Sequence, residues 1–183
     1  KRMKSSNFGR FVFFVAIMNF SVNIAAPFFA VYMLGDLKFN YLTYTIITMS
    51  ATLTMIFMMG VWGLHADQVG NVKVLRSTSR FIPLIPALWL FSHNVFYLIL
   101  VQILAGFFWS GFNLSASNFI YDAVKPGKRL RCIAYFSVIN GLAIFSGATL
   151  GGYLIKVLPP FSGSKILTLL LISGILRFLV SSF

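Results

Sequence analysis

The chain of 183 residues is 58% hydrophobic and 10% charged, with a mean hydropathy of +0.88, whereas soluble domains carry about 25% charged residues to face water. That composition excludes a soluble globular domain and makes lipid the main solvent of an all-α membrane protein. The net charge of +12 sits in Lys and Arg clusters between apolar runs, without a basic helix face or base-stacking platform, so it points to the lipid bilayer and away from nucleic acid.

The opening residues, KRMKSSNFGR, are basic and polar with no secretory pattern and read as a cytoplasmic lead-in. A first residue other than Met fits a processed chain or a piece of something longer. The first apolar span covers about residues 11–34 and carries Asn19, Asn23 and Pro27 at steps of four, on one helix face. GDLKFN closes it. A second span, about residues 41–62, is rich in Thr and Met and leads into a polar stretch, GLHADQVGNVKVLR, from Gly63 to Arg76. Apolar segments on both sides are long enough to cross a bilayer, so this stretch is expected to be a hinge at one membrane surface. Lys73 and Arg76 mark that surface as cytoplasmic.

The third span, about residues 72–91, contains Pro83 and Pro86, which are expected to bend it. After the turn SHN, a fourth span of about residues 95–121 places Gly106, Ser110, Asn113 and Ser117 on one face, and DAVKPGKRLR is expected to form a second internal loop. The fifth span, about residues 132–155, holds Ala143, Gly147 and Gly151 at steps of four, a ridge small enough for another helix to approach closely. KVLPPFSGSK follows as an external loop. The sixth span, about residues 166–183, contains Arg177 in its inner half, placed to snorkel or to pair.

Six spans with alternating turns define a topology that the charges test. One side receives Lys1, Arg2, Lys4 and Arg10, then Lys73, Arg76 and Arg80, then Lys125, Lys128, Arg129 and Arg131. The other receives Lys38, Lys156 and Lys165. This bias places both termini in the cytoplasm. Residues 1–183 then form a single six-helix bundle, with spans one to three inverted relative to spans four to six, an inverted three-plus-three repeat.

The pattern Gly63-x-x-x-Asp67-x-x-Gly70, followed by basic residues, resembles the signature loop of the major facilitator superfamily of secondary transporters, which joins the second and third helices of a six-helix half. That family usually has Arg or Lys straight after the second Gly. This chain has Asn71 and Val72 there, with the charge delayed to Lys73. Pro126-Gly127-Lys128-Arg129 resembles the Pro-x-x-Arg element after the fourth helix of a half, and NFSVNIAAPFFAVY, from Asn19 to Tyr32, resembles the seventh helix of bacterial members.

The resemblance covers nearly all of the chain. It implies a C-terminal six-helix half in a bacterial inner membrane, and a mechanism in which two bundles rock about a central site. It further implies that the first and fourth spans line the substrate cavity, which makes Asn19, Asn23, Trp109, Asn113 and Ser117 the cavity candidates. The gating-loop candidates are Gly63, Asp67, Gly70, Lys73, Arg76 and Arg129, with Asp67 holding one conformation at the helix junction.

Each candidate also has a plain structural reading. Asn19, Asn23 and Asn113 can bond a neighbouring helix, Trp109 can simply pack, and Asp67 can be a solvated loop charge. Thr45, Thr48 and Thr52 are expected to bond their own helix, and Met49, Met55, Met58 and Met59 to be adaptable packing. The acids are Asp36, Asp67 and Asp122, with no Glu and none deep in a span, so a proton-coupling acid is expected outside this chain. His65 and His93 fall near opposite interfaces, and the single Cys132 rules out an internal disulfide or a cysteine zinc site. The spans hold no nucleophile and base pair, carboxylate pair or metal cluster, so neither an enzyme nor a metal or cofactor site is expected.

Two functions follow. One is a solute transporter, or half of one, moving a small molecule of unspecified identity by alternating access. The other is a non-transporting scaffold or accessory subunit of a larger membrane complex. In both, the polar faces of the first and fourth spans need cover from lipid, so a second six-helix bundle is expected as partner: a missing N-terminal half, a second copy, or a host complex.

Overall fold

A computed structural model describes residues 2–161 and 163–182, with side chains from Phe8 onward. Lys1, Ser162 and Phe183 lie outside the described residues, and so do the side chains of Arg2 and Lys4. The elements in chain order are α1 (Arg2–Asn23), α2 (Phe28–Val31), a π-helical turn (Tyr32–Asp36), α3 (Tyr41–Val69), α4 (Asn71–Phe81), α5 (Leu84–Leu88), α6 (Val95–Ala123), α7 (Pro126–Val157) and α8 (Lys165–Ser181). Among the described residues four segments are long and apolar enough to cross a membrane: Phe8–Asp36, Tyr41–Val69, Val95–Ala123 and Pro126–Val157. Among the described residues the architecture is all-α, apart from one isolated bridge between Phe161 and Ser164.

Local chemistry explains where these helices start and break. The side chain of Asn40 accepts the Thr43 N–H at 2.7 Å, that of Asn94 accepts the Phe96 N–H at 2.9 Å, and that of Ser164 accepts the Ile166 N–H at 3.1 Å, so three helices begin on a polar cap. Pro126 opens α7, where its missing N–H leaves no bond unmade. Pro27 does the opposite inside the first span: it removes a donor and crowds the carbonyl four residues back, and the helix opens between Asn23 and Phe28. Pro83 breaks the third span in the same way, ending α4 before α5 begins.

The expected polar hinge from Gly63 to Arg76 is corrected by the structure, because it is helical on both sides. α3 runs on to Val69, Gly70 alone leaves the helix, and α4 starts at Asn71. Gly70 has φ of 92°, a left-handed conformation that a Cβ would oppose. The expected internal loop DAVKPGKRLR shrinks likewise to Val124 and Lys125 between α6 and α7. In both places polar residues keep their backbone bonds inside a helix, which is how a chain in a membrane satisfies them.

α1 packs along α7 and α3 along α6; α4 lies against α6, α1 against α8, and α5 against α8. Glycines allow the closest of these approaches. A Cβ at Gly106 would collide with the Ala51 carbonyl on α3, at Gly147 with the Phe20 carbonyl on α1, and at Gly151 with the Ile24 carbonyl just past the end of α1. The predicted small-residue ridge therefore seats α7 on α1. Of the four long spans, 44% and 39% of the apolar windows of the first and of α6 are buried, against 6% each for α3 and α7. The first span and α6 are thus central, and α3 and α7 are peripheral. One core cluster gathers Tyr32, Ile47, Trp89, Leu98 and Leu169, and a second gathers Phe11, Met18, Ile82 and Phe112 nearer the basic end.

Candidate functional site

Beside the break in the first span lies a cavity of about 250 Å³ between α1, α2, α3, α5, α6 and α8. α6 contributes Gln102, Trp109 and Asn113, α3 contributes Thr52 and Met55, and α8 contributes Arg177. Trp109 is half-buried and packs edge-on against Phe112, with ring centroids 5.4 Å apart. Asn113 is exposed, its amide 3.8 Å from the Met55 sulfur. Ser117, one turn further along the same face, is exposed as well.

Asn19 and Asn23 lie elsewhere. The Asn19 amide donates to the Asn140 side chain on α7 at 2.8 Å, and the Asn23 amide donates to the Asn19 carbonyl at 2.8 Å. Asn19 thus bonds a neighbouring helix, whereas Asn23 bonds back to its own. Asn140 is the partner that sequence reasoning missed, although a lone amide in the apolar run SVINGLAIF was a visible signal. Thr45, Thr48 and Thr52 bond backbone carbonyls of their own helix at 2.7–3.5 Å, as expected.

Arg177 is the larger surprise. It is 2% exposed, so it does not snorkel, and among the described residues it meets no carboxylate. Its Nε donates to the Ser173 hydroxyl at 3.1 Å and its Nη2 to the Val22 carbonyl at 3.4 Å, while Ser173 donates to the Ser21 carbonyl at 2.6 Å. These carbonyls sit just before the break in the first span, where regular helix bonding stops. A lone Arg in an otherwise apolar segment with Ser four residues earlier was the sequence signal.

At the basic end, Gly70 makes the turn, and Asp67, Lys73 and Arg76 are exposed. Among the described residues Asp67 makes no ion pair. Gly63 has ordinary space around it, the Leu114 side chain being 3.8 Å from where a Cβ would stand. What joins α4 to α6 is Asn71, at the position where the basic residue of the signature is displaced. Its amide donates to Asp122 at 2.8 Å, and the Asn118 amide donates to it at 3.4 Å. Arg129 reaches back from α7 to the carbonyls of Val124 and Tyr121, at 3.2 and 3.0 Å, and lies over the Tyr121 ring at 5.6 Å. It closes the open C-terminal end of α6. At the opposite end the Ser164 hydroxyl donates to Asp36, tying the π-turn to the cap of α8.

An apolar bundle of membrane-length helices around a partly polar cavity defines an integral membrane protein of the transporter class. The chain belongs to the Major Facilitator Superfamily, whose sequence profile matches residues 11–182. No curated protein matches it.

Proposed function

We propose that the chain moves a small solute by alternating access, as one six-helix unit working with a second bundle, and that it corresponds to the C-terminal half of the family fold. Six spans are reached by counting α4 with α5 as the third and α8 as the sixth. α8 has 17 residues, about 26 Å at 1.5 Å per residue, the short end of what crosses a bilayer. The inverted repeat is supported by the pattern of contacts. Exchanging the first three spans with the last three turns the α1 and α7 contact into that of α6 and α3, and the α1 and α8 contact into that of α6 and α4.

The observation that carries the proposal is the cavity on α6: Asn113 and Ser117 are exposed on a helix that is otherwise central. Polar groups facing lipid are costly, so this face fits a water-filled path shared with a second bundle. Asp67 adds support for a gate at the basic end. It stands in the last turn of α3, and Lys73 in the first turn of α4, each at the end of a helix dipole that disfavours its charge. Charges held against their own helices suit contacts made to another bundle in one state of the cycle.

Crosslinking from a cysteine at Ser117 tests the partner, because Asn23 is turned toward Gly147 on α7. A captured six-helix protein or second copy, identified by mass spectrometry, is the expected result. A monomeric chain that transports unaided in lipid nanodiscs would refute the shared path. Both termini are proposed to be cytoplasmic: a membrane-impermeant thiol reagent added outside should label a cysteine at Ser162 and not one at Ser5. Asp67→Asn should change transport or cytoplasmic accessibility, and identity with the parent in both would remove the gate.

A further inference from the structure

We propose that Arg177 is the anion-binding group of this cavity and that the solute is a small organic acid, held by its carboxylate against the guanidinium with an apolar body against Trp109 and Met55. The inference rests on reading the cavity as the solute site. An arginine stays charged in proteins, and Arg177 is 2% exposed in the inner half of a predicted span. A buried charge needs an opposite charge or a full set of hydrogen bonds. Among the described residues this chain supplies neither. Its three acids are held elsewhere: Asp36 at Ser164, Asp122 at Asn71, and Asp67 exposed at the basic end. The carbonyl of Val22 and the hydroxyl of Ser173 engage Nη2 and Nε, and among the described residues Nη1 donates to no protein acceptor.

The Val22 carbonyl already accepts the backbone N–H groups of Ala25 and Ala26, and an uncharged amide would serve it and the Ser173 hydroxyl equally well. The charge has a use only toward something anionic, and the side chain lines the cavity. Around it the wall is apolar at Phe29, Met55 and Trp109, while Gln102 and Asn113 offer amide donors. A few polar groups on an apolar wall are the usual composition of a small-molecule site, and about 250 Å³ lies below the roughly 300–1,000 Å³ of sites for drug-sized ligands. A guanidinium and a carboxylate form a charge-assisted pair that is stronger for a group as buried as Arg177 than for one on an open surface.

The test uses the chain in lipid nanodiscs, with 4-bromobenzoate as probe and 4-bromobenzamide as its neutral counterpart. The bromine quenches tryptophan fluorescence on contact, and Trp109→Phe identifies the part of the signal that comes from this cavity. Saturable quenching is expected from the acid, with apparent affinity at least tenfold weaker for the amide. Arg177→Gln should weaken the acid at least tenfold and leave the amide unchanged, and Arg177→Lys should restore part of the loss. Equal affinity for acid and amide, or an Arg177→Gln chain that binds the acid as the parent does, overturns the proposal. If Arg177→Gln fails to insert, the ratio of acid to amide in the parent and in Arg177→Lys decides. Binding is read without flux, so the two readings fail separately. A chain that transports with its partner but treats acid and amide alike sinks the anion site alone; one that binds the acid yet moves nothing sinks the transport reading alone.

Discussion

The two most extensive helix pairs, α1 with α7 and α3 with α6, solve one problem with different means. Lipid tails are as apolar as the helices, so burial gives little reason for two spans to associate, and close packing and hydrogen bonds have to supply it. In the α1 and α7 pair, Gly147 and Gly151 press on the backbone of the partner, and the Asn19 to Asn140 amide bond lies beside them. In the α3 and α6 pair only Gly106 meets backbone. Gly111 meets the Trp62 ring, whose indole N–H donates to the Phe107 carbonyl at 2.8 Å. The first pair is set by rigid backbone on both sides, the second partly by a side chain that can turn aside.

The sharpest way to break this comparison is Gly151→Leu. Its side chain would drive into the Ile24 carbonyl, which cannot yield without parting the helices, and overpacking of this kind costs about 1–3 kcal/mol or more. The expected readout is a large loss of folded protein in detergent and a lower unfolding midpoint. Gly111→Ala should cost less, because the Trp62 ring and the Thr78 methyl that it meets are side chains and not backbone, and the change should appear as altered tryptophan fluorescence before it appears as lost stability. A Gly111→Ala chain as damaged as Gly151→Leu would erase the distinction between the pairs. Asn19→Ala removes one bond between helices, worth about 0.6 kcal/mol on average in membranes, so its unfolding midpoint should shift slightly and in the same direction. Gly141 on the outer side of α7 has open space around it, and Gly141→Ala should leave the midpoint unchanged or raise it.

What could be read in the sequence was whatever one helix decides for itself. Pro83 breaks its span, the glycine ridge of α7 finds a close neighbour, and the threonines of α3 bond backward, because each depends on residues within a turn or two. What could not be read depends on the surroundings. Residues 63–69 are polar enough to pass for a loop, yet α3 runs on through them to Val69. Trp109 and Asn113 line the cavity beside the break in the first span, and the spacing of polar residues along α6 marks that face. The contact of Asn19 was not legible, since its partner lies 121 residues away on a helix whose face the sequence does not fix. Arg177 looked equally able to snorkel or to pair; its depth is set by α1, which closes over it.

The single-residue turn at Gly70 has a mechanical consequence. The chain steps 3.8 Å between successive Cα atoms, so Val69 and Asn71, the last residue of α3 and the first of α4, stay within about 7 Å of each other in any conformation. These two helices cannot part at the basic end; they can only swing about that point like the arms of a compass. A lateral push on the end of α3 is therefore handed directly to α4, and the interruption at Pro83 is the next place along the chain where the motion can be absorbed as a bend.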